Sequence, residues 1–330
     1  MPDWILLALV IFGALAFDFV NGFHDCANAI ATTVSTRALR PGQAILLART
    51  LNFVGSMFGT AVAFTIGKGV VDLPGARESL VPVLAALFGA IGWDLVTWYY
   101  GLPSSSTHAL VGGLLGAGLA AVGPDVIVWG GIKKIALGMV ISPIIGFAFG
   151  LLFIVLIFWL FRRAGKGANR VFKALQIGSA SWMSFTHGLN DAQNAMGIMT
   201  IALLSYGHLD SFVVPIWVKL AAAIAMGLGT GYGGWRIMKT MGMKVAKLEP
   251  VHGFAAETGA GLVIGGMSMF GIPVSTTHCI STTIMGVGAS KRLSAVRWGV
   301  VGNIVTAWIL TVPGAALIAA PSYWLLSLVF

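Results

Sequence analysis

Charge is scarce in this chain. Only 9% of its 330 residues are Asp, Glu, Lys or Arg, against roughly 25% in a soluble domain. That shortage excludes an ordinary water-soluble globular protein. Cysteine is nearly absent, with Cys26 and Cys279 alone. Both lie in polar motifs of apolar runs and read as packing residues, so no disulfide framework is expected. No long polar tail, linker or low-complexity tract marks a further soluble domain, and no nucleotide-binding fingerprint follows a strand. The first residues, Met1-Pro2-Asp3-Trp4, lack basic character, so the first apolar run does not read as a cleavable signal.

Apolar side chain is abundant: 57% of residues are hydrophobic and mean hydropathy is +0.90. The chain reads as an all-α polytopic membrane protein whose partner is the lipid bilayer. The net charge of +9 is explained by basic loops rather than nucleic acid. With the N-terminus placed outside, fourteen Lys and Arg fall inside: Arg37, Arg40, five in residues 162–173, four in 236–247 and three in 291–297. Outside are only Lys68, Arg77, Lys133 and Lys134, while Arg49 and Lys219 lie within apolar runs. This is the positive-inside pattern.

The chain states its unusual stretches twice. Asn21-Gly22-Phe23-His24-Asp25-Cys26-Ala27-Asn28-Ala29 returns as His187-Gly188-Leu189-Asn190-Asp191-Ala192-Gln193-Asn194-Ala195. Asn21 and His24 correspond to His187 and Asn190, so asparagine and histidine trade places. Gly101-Leu102-Pro103-Ser104-Ser105-Ser106-Thr107-His108 returns as Gly271-Ile272-Pro273-Val274-Ser275-Thr276-Thr277-His278. The repeat divides the chain into residues 1–161, a basic cytoplasmic connector 162–173, and residues 174–330. An odd number of crossings per half, five if every apolar run spans, inverts the second half. About ten transmembrane segments with broken helices or helical hairpins are expected, the architecture of secondary transporters. The first helix is expected to break at Gly22, residues 43–66 to form one helix, and 236–250 a loop. The Pro-Ser/Thr segments either span or re-enter.

Ionisable and amide side chains at membrane depth are costly and mark function. Asp25 and Asp191, with carboxamides at Asn21, Asn28, Asn190 and Asn194, offer hard oxygen ligands suited to Na⁺, and either acid could carry a proton. For Na⁺ the ligands are Asp25, Asn28, Asp191 and Asn194. His24 and Glu257 are further cation-site candidates. Asp94 is another, with helix-break capping the competing role for these acids, while Asp18, about two turns before Asp25, reads as a supporting or pore-facing residue. Ser105, Ser106, Thr107, Ser275, Thr276 and Thr277 open helices. Two such N-termini face to face, with their free N–H groups and hydroxyls, suit a tetrahedral oxyanion; ordinary N-capping is the alternative. His24, His108, His187 and His278 could ligate metal, shuttle protons or bond backbone. The lack of a tight His-x-x-x-His pair counts against an intramembrane metalloenzyme. A channel is a further class.

The two Asn-Asp motifs resemble the paired signatures of the inorganic phosphate transporter family. The segment 271–278 resembles that family's second signature, and residues 242–244 through Phe254-Ala255-Ala256-Glu257 also fit. The likeness covers essentially the whole chain. It implies symport of inorganic phosphate driven by H⁺ or Na⁺ and alternating access through an inverted-repeat fold. It also implies a plasma (inner) membrane location and a homodimer, with no catalysis and no bound cofactor. The cation role falls on Asp25, Asn28, Asp191 and Asn194, and the phosphate role on the six Ser and Thr residues. A sulfate or metal–phosphate permease of the same fold is the alternative. Two departures bear on the coupling ion. Many members carry Asn where His24 stands, and many Na⁺-coupled ones carry Glu near Asn52, where this chain keeps only Glu257. Both favour H⁺.

Overall fold

The computed structural model describes residues 3–72, 80–163, 165 and 167–330. The loop charges Arg77 and Lys166 and residues 73–79 of the first half lie outside the described residues. Among the described residues the chain forms twelve α-helices and no strand beyond a single bridge between Val71 and Ile127. The first six are α1 (Asp3–Ser35), α2 (Pro41–Ser56), α3 (Ala61–Gly69), α4 (Leu80–Tyr100), α5 (Ser106–Ala121) and α6 (Trp129–Leu160). The second six are α7 (Ala168–Ser205), α8 (Ile216–Tyr232), α9 (Trp235–Lys239), α10 (Pro250–Met269), α11 (Thr276–Ala289) and α12 (Trp298–Leu326). A π-helical turn, Thr240–Lys244, continues α9.

Packing exchanges elements between the two sets. The long helix α1 lies along α8 and α9, and α7 lies along α2 and α3. The last helix of each set packs on the other set: α6 on α10 and α11, α12 on α4 and α5. One apolar cluster contains Phe17, Leu87, Leu110, Ile198 and Met226; another contains Ile30, Met183, Ile237, Ile264 and Ile280. Both α1 and α7 contribute to each cluster, so their polar motifs sit where the two cores meet. On the outside, α6 and α12 expose large apolar residues such as Leu152, Ile144, Ile309 and Leu317, as a lipid-facing surface requires.

Among the described residues, four helices are long and apolar enough to cross a bilayer alone, namely α1, α4, α6 and α12, and the bent pair α2–α3 makes a fifth. The remaining elements fall short for identifiable reasons. At 16 and 14 residues, α5 and α11 reach only about 24 and about 21 Å against a hydrocarbon core of about 30 Å. The 38-residue α7 is long enough but carries many buried polar side chains, because its neighbours rather than lipid surround it.

The break expected at Gly22 is absent: α1 runs unbroken for 33 residues. Gly22 serves approach instead. A Cβ there would lie 2.6 Å from the Met226 carbonyl oxygen of α8, and one on Gly188 would lie 2.2 Å from that of Asn52. Each motif therefore rides on a continuous helix. Asn21, Asp25 and Asn28 share one face of α1, and His187, Asp191 and Asn194 share one face of α7. The single helix expected over 43–66 is instead two, α2 and α3, meeting at 73°. Part of the loop expected over 236–250 is helical, in α9 and its π turn. The real interruptions also include the stretches before α5 and α11. There α4 and α10 each end in a Schellman turn, with Leu102 N–H donating to Thr97 O (2.9 Å) and Ile272 N–H to Met267 O (3.1 Å). Gly101 and Gly271 take the left-handed conformation this turn needs, at φ +66° and +62°.

Candidate functional site

The two Ser/Thr stretches leave their glycine turns extended and start new helices. Ser105 and Ser275 are the N-caps, each accepting from the backbone N–H three residues on, His108 at 3.4 Å and His278 at 3.0 Å. The serines cap, while the next side chains along each helix reach across to the opposite half.

Asn28 on α1 donates to Thr277 Oγ1 at 2.8 Å and to Thr276 Oγ1 at 3.2 Å, at the start of α11. Asn194 on α7 donates to Thr107 Oγ1 at 2.8 Å, at the start of α5. Thr276 donates to Asp191 Oδ2 (3.0 Å) and Thr277 to Asp25 Oδ1 (3.3 Å). Oxygen or nitrogen atoms of Asp25, His187 and Asp191 all come within 4.8 Å of one another. Every one of these residues is buried. Among the described residues, Asn28 Oδ1, Asn194 Oδ1 and the ring nitrogens of His108 and His278 have no hydrogen-bond partner. Buried polar atoms are normally paired, so this concentration of unpaired ones marks a place built for something polar. A cage of carboxylate and carboxamide oxygens suits a hard cation, and hydroxyls on helix N-termini suit an oxyanion.

The exchanged histidine and asparagine do the same work. His24 Nδ1 lies 2.7 Å from Asp25 Oδ1, with Nε2 3.0 Å from Thr97 Oγ1. In the other half Asn190 donates to Asp191 Oδ1 at 2.7 Å and to Val274 O at 3.0 Å, while its Oδ1 accepts from Ser268. Each partner orients the neighbouring aspartate and ties it to the adjoining hairpin. His187 Nδ1 is 3.1 Å from Asn52 Oδ1, and its Nε2 is 3.2 Å from Asp191 Oδ2.

Glu257 stands apart from this constellation. Its Oε1 accepts from Thr32 (2.5 Å), Thr33 (2.7 Å) and Gln176 (3.1 Å), and its Oε2 from Ser179 (2.5 Å). Thr32 lies one turn beyond Asn28 on α1. Asp94 is buried beside Ser106, and among the described residues the side chains of Asn21 and Asp18 are buried with no hydrogen-bond partner. Sequence reasoning missed Thr32, Thr33, Gln176 and Ser179 around Glu257, and Thr97 and Ser268 behind His24 and Asn190. It also missed the role of Gln193, whose Oε1 accepts from the Val62 and Ala63 N–H groups at 2.8 and 3.1 Å and so caps α3 after the bend. Polar residues inside apolar runs were the available signal.

A buried polar site between two exchanged helix sets, under an apolar exterior, fits a membrane transport protein. Residues 21–319 match the phosphate transporter family, and the chain belongs to that family. It is 52% identical over 327 residues to a Rhizobium meliloti protein named "Probable low-affinity inorganic phosphate transporter", covering 98% of this chain and 97% of that one. A Bacillus subtilis protein of the same name is 46% identical, with 99% and 98% covered. Among solved structures, "The sodium-dependent phosphate transporter" superposes with a TM-score of 0.90 at 28% identity, over 99% of this chain and 100% of that one.

Proposed function

We propose that this chain is a symporter that couples inorganic phosphate uptake to H⁺ or Na⁺ by alternating access. Two inverted repeats of about five crossings each rock about the central site, in the plasma membrane, with the N-terminus outside and the chain paired as a homodimer. The observation that carries the reading is reciprocal. Asn28 of the first half bonds the helix start of the second, and Asn194 of the second half bonds the helix start of the first. Phosphate sits between the hydroxyls of Ser105, Ser106, Thr107, Ser275, Thr276 and Thr277. The cation sits beside it on Asp25, Asn28, Asp191 and Asn194, with Asn21, His24 and Asn190 around them. Binding one ligand organises the other, because Thr276 and Thr277 touch both sets. Glu257, with the hydroxyls of Thr32, Thr33 and Ser179, makes a second, separate oxygen-rich cation position.

A second reading is supported by the Asp25, His187 and Asp191 cluster. Imidazole with two carboxylates favours a transition metal over Na⁺, so a metal–phosphate complex is the alternative cargo. The experiment is uptake of labelled phosphate into proteoliposomes with Na⁺ and pH gradients imposed separately, then with divalent metal or sulfate added. Accumulation that tracks one cation gradient supports symport. Flux indifferent to both gradients sinks it, and uptake that requires divalent metal transfers the assignment to the alternative.

A further inference from the structure

The turns that lead into the two Ser/Thr helix starts are each held from the opposite half, and in the same way. Thr65 on α3 donates to the carbonyl of Gly271 at 2.8 Å. Thr240, on the π turn after α9, donates to the carbonyl of Gly101 at 2.9 Å. Each threonine has the same weaker alternative, the carbonyl four residues back on its own helix, Ala61 O and Arg236 O, both at 3.4 Å. Those two carbonyls are also what a side chain on the glycines would strike. A Cβ on Gly271 would lie 2.9 Å from Ala61 O, and one on Gly101 3.2 Å from Arg236 O. The surrounding cations repeat as well. Lys134 Nζ lies 3.4 Å from Thr65 Oγ1 and 3.5 Å from Phe270 O, while Arg236 donates to Tyr99 O and lies over the rings of Tyr99 and Trp98.

The two clamps share little sequence. Ala61-Val62-Ala63-Phe64-Thr65 and Arg236-Ile237-Met238-Lys239-Thr240 agree only at the threonine. A Schellman turn uses the N–H of its glycine and leaves that glycine's carbonyl free. Here the carbonyl meets a hydroxyl that is itself buried, so losing the hydroxyl strands a buried acceptor. Only three residues lie between each glycine and its N-cap serine, and that stretch is extended. A shift of either turn is therefore passed to Ser105 or Ser275 with little slack.

We propose that Thr65 and Thr240 are positioning residues for the phosphate site. Each fixes the helix start that the other half contributes, so that neither half alone can set the site's geometry. This rests on the assignment of phosphate to the Ser/Thr helix starts. Neither threonine touches that site itself, so each acts through the turn.

The test is phosphate uptake kinetics in proteoliposomes for Thr65→Val, Thr240→Val and the matching serine variants. Valine keeps the shape and removes the hydroxyl; serine keeps the hydroxyl. The phosphate KM is expected to rise about tenfold in each valine variant, the effect of one unsatisfied buried acceptor, and to return to near the parental value with serine. Thr65→Ala and Thr240→Ala admit a water to the carbonyl and provide a second measurement if valine prevents reconstitution; their KM is expected between those of the serine and valine variants. A purely structural role would lower the amount of active protein and leave KM alone. Parental KM in the valine or alanine variants overturns the proposal. Absence of saturable phosphate uptake by the parent protein overturns the phosphate assignment itself, and the two failures are thereby distinct.

Discussion

His108 and His278 meet edge to face, with ring centroids 4.8 Å apart and planes at 69°, although they come from different halves of the chain. Trp308 of α12 lies against the second ring at 4.0 Å and donates to Pro103 O at 2.9 Å. The contact brings the first turns of α5 and α11 together, and with them the hydroxyls that precede each histidine. Facing N-terminal turns would repel one another through their partial positive charge. That cost is offset by Asp25 and Asp191 accepting from Thr277 and Thr276, and further by any anion bound between them.

The two amide bridges should therefore behave as a pair. Asn28→Ala and Asn194→Ala each remove a donor to a helix-start threonine from the opposite half. Each is expected to raise the phosphate KM by about three- to tenfold, on the scale of one hydrogen bond of about 0.5–1.5 kcal/mol. Uptake kinetics in proteoliposomes measure this. An effect confined to one of the two positions would show that the halves do not share the site.

Removing charge should act differently from removing a donor. Asp25→Asn and Asp191→Asn keep the size of the side chain and the contact with threonine but discard the carboxylate. Gradient-driven accumulation is expected to fall at least tenfold in each, equivalent to about 1.4 kcal/mol or more, with the protein still inserted at parental levels. Asp191→Asn transporting at the parental rate under a fixed gradient would remove the aspartate from the mechanism.

Glu257 separates charge from packing. In Glu257→Gln a carboxamide oxygen can still accept from Thr32, Thr33 and Gln176, so the fold is expected to persist. Half-saturation by the coupling cation is expected to rise at least tenfold, because a hard cation loses its one formal countercharge in that cluster. Glu257→Ala should in addition lower thermal stability in detergent by about 1–3 kcal/mol, through the donors left unpaired. Parental cation dependence in the glutamine variant would make the cluster purely structural.

Close approach is the role of Gly22, and stability reads it out. In Gly22→Ala the added carbon would lie 2.6 Å from Met226 O and 2.9 Å from Thr230 N. Backbone cannot yield as a flexible side chain can, so α1 and α8 must separate. A cost of about 1–3 kcal/mol is expected, seen as earlier thermal unfolding of purified protein. Alanine normally favours a helix over glycine by about 1 kcal/mol, so an unchanged or raised Tm would show that the contact is slack.

Much of this protein was legible along the chain, because bilayer and backbone impose local rules. Scarce charge and long apolar runs made helices and membrane the reading. The doubled motifs named Asp25, Asn28, Asp191, Asn194 and the Ser/Thr helix starts without any coordinates, since buried charge and amide are too costly to occur twice by accident. The effects of one helix packing on another were hidden. Gly22 read as a break but proved a contact, because glycine serves both purposes and only the presence of α8 decides between them. The start of α3 after the bend is capped by Gln193 from a distant helix. Glu257 read as a further cation-site candidate, but that Thr32, Thr33, Gln176 and Ser179 gather around it was visible only in the fold. The clamps on Gly101 and Gly271 are tertiary throughout: their donors recur in three dimensions while the sequence around them does not, since geometry constrains one hydroxyl and leaves its neighbours free.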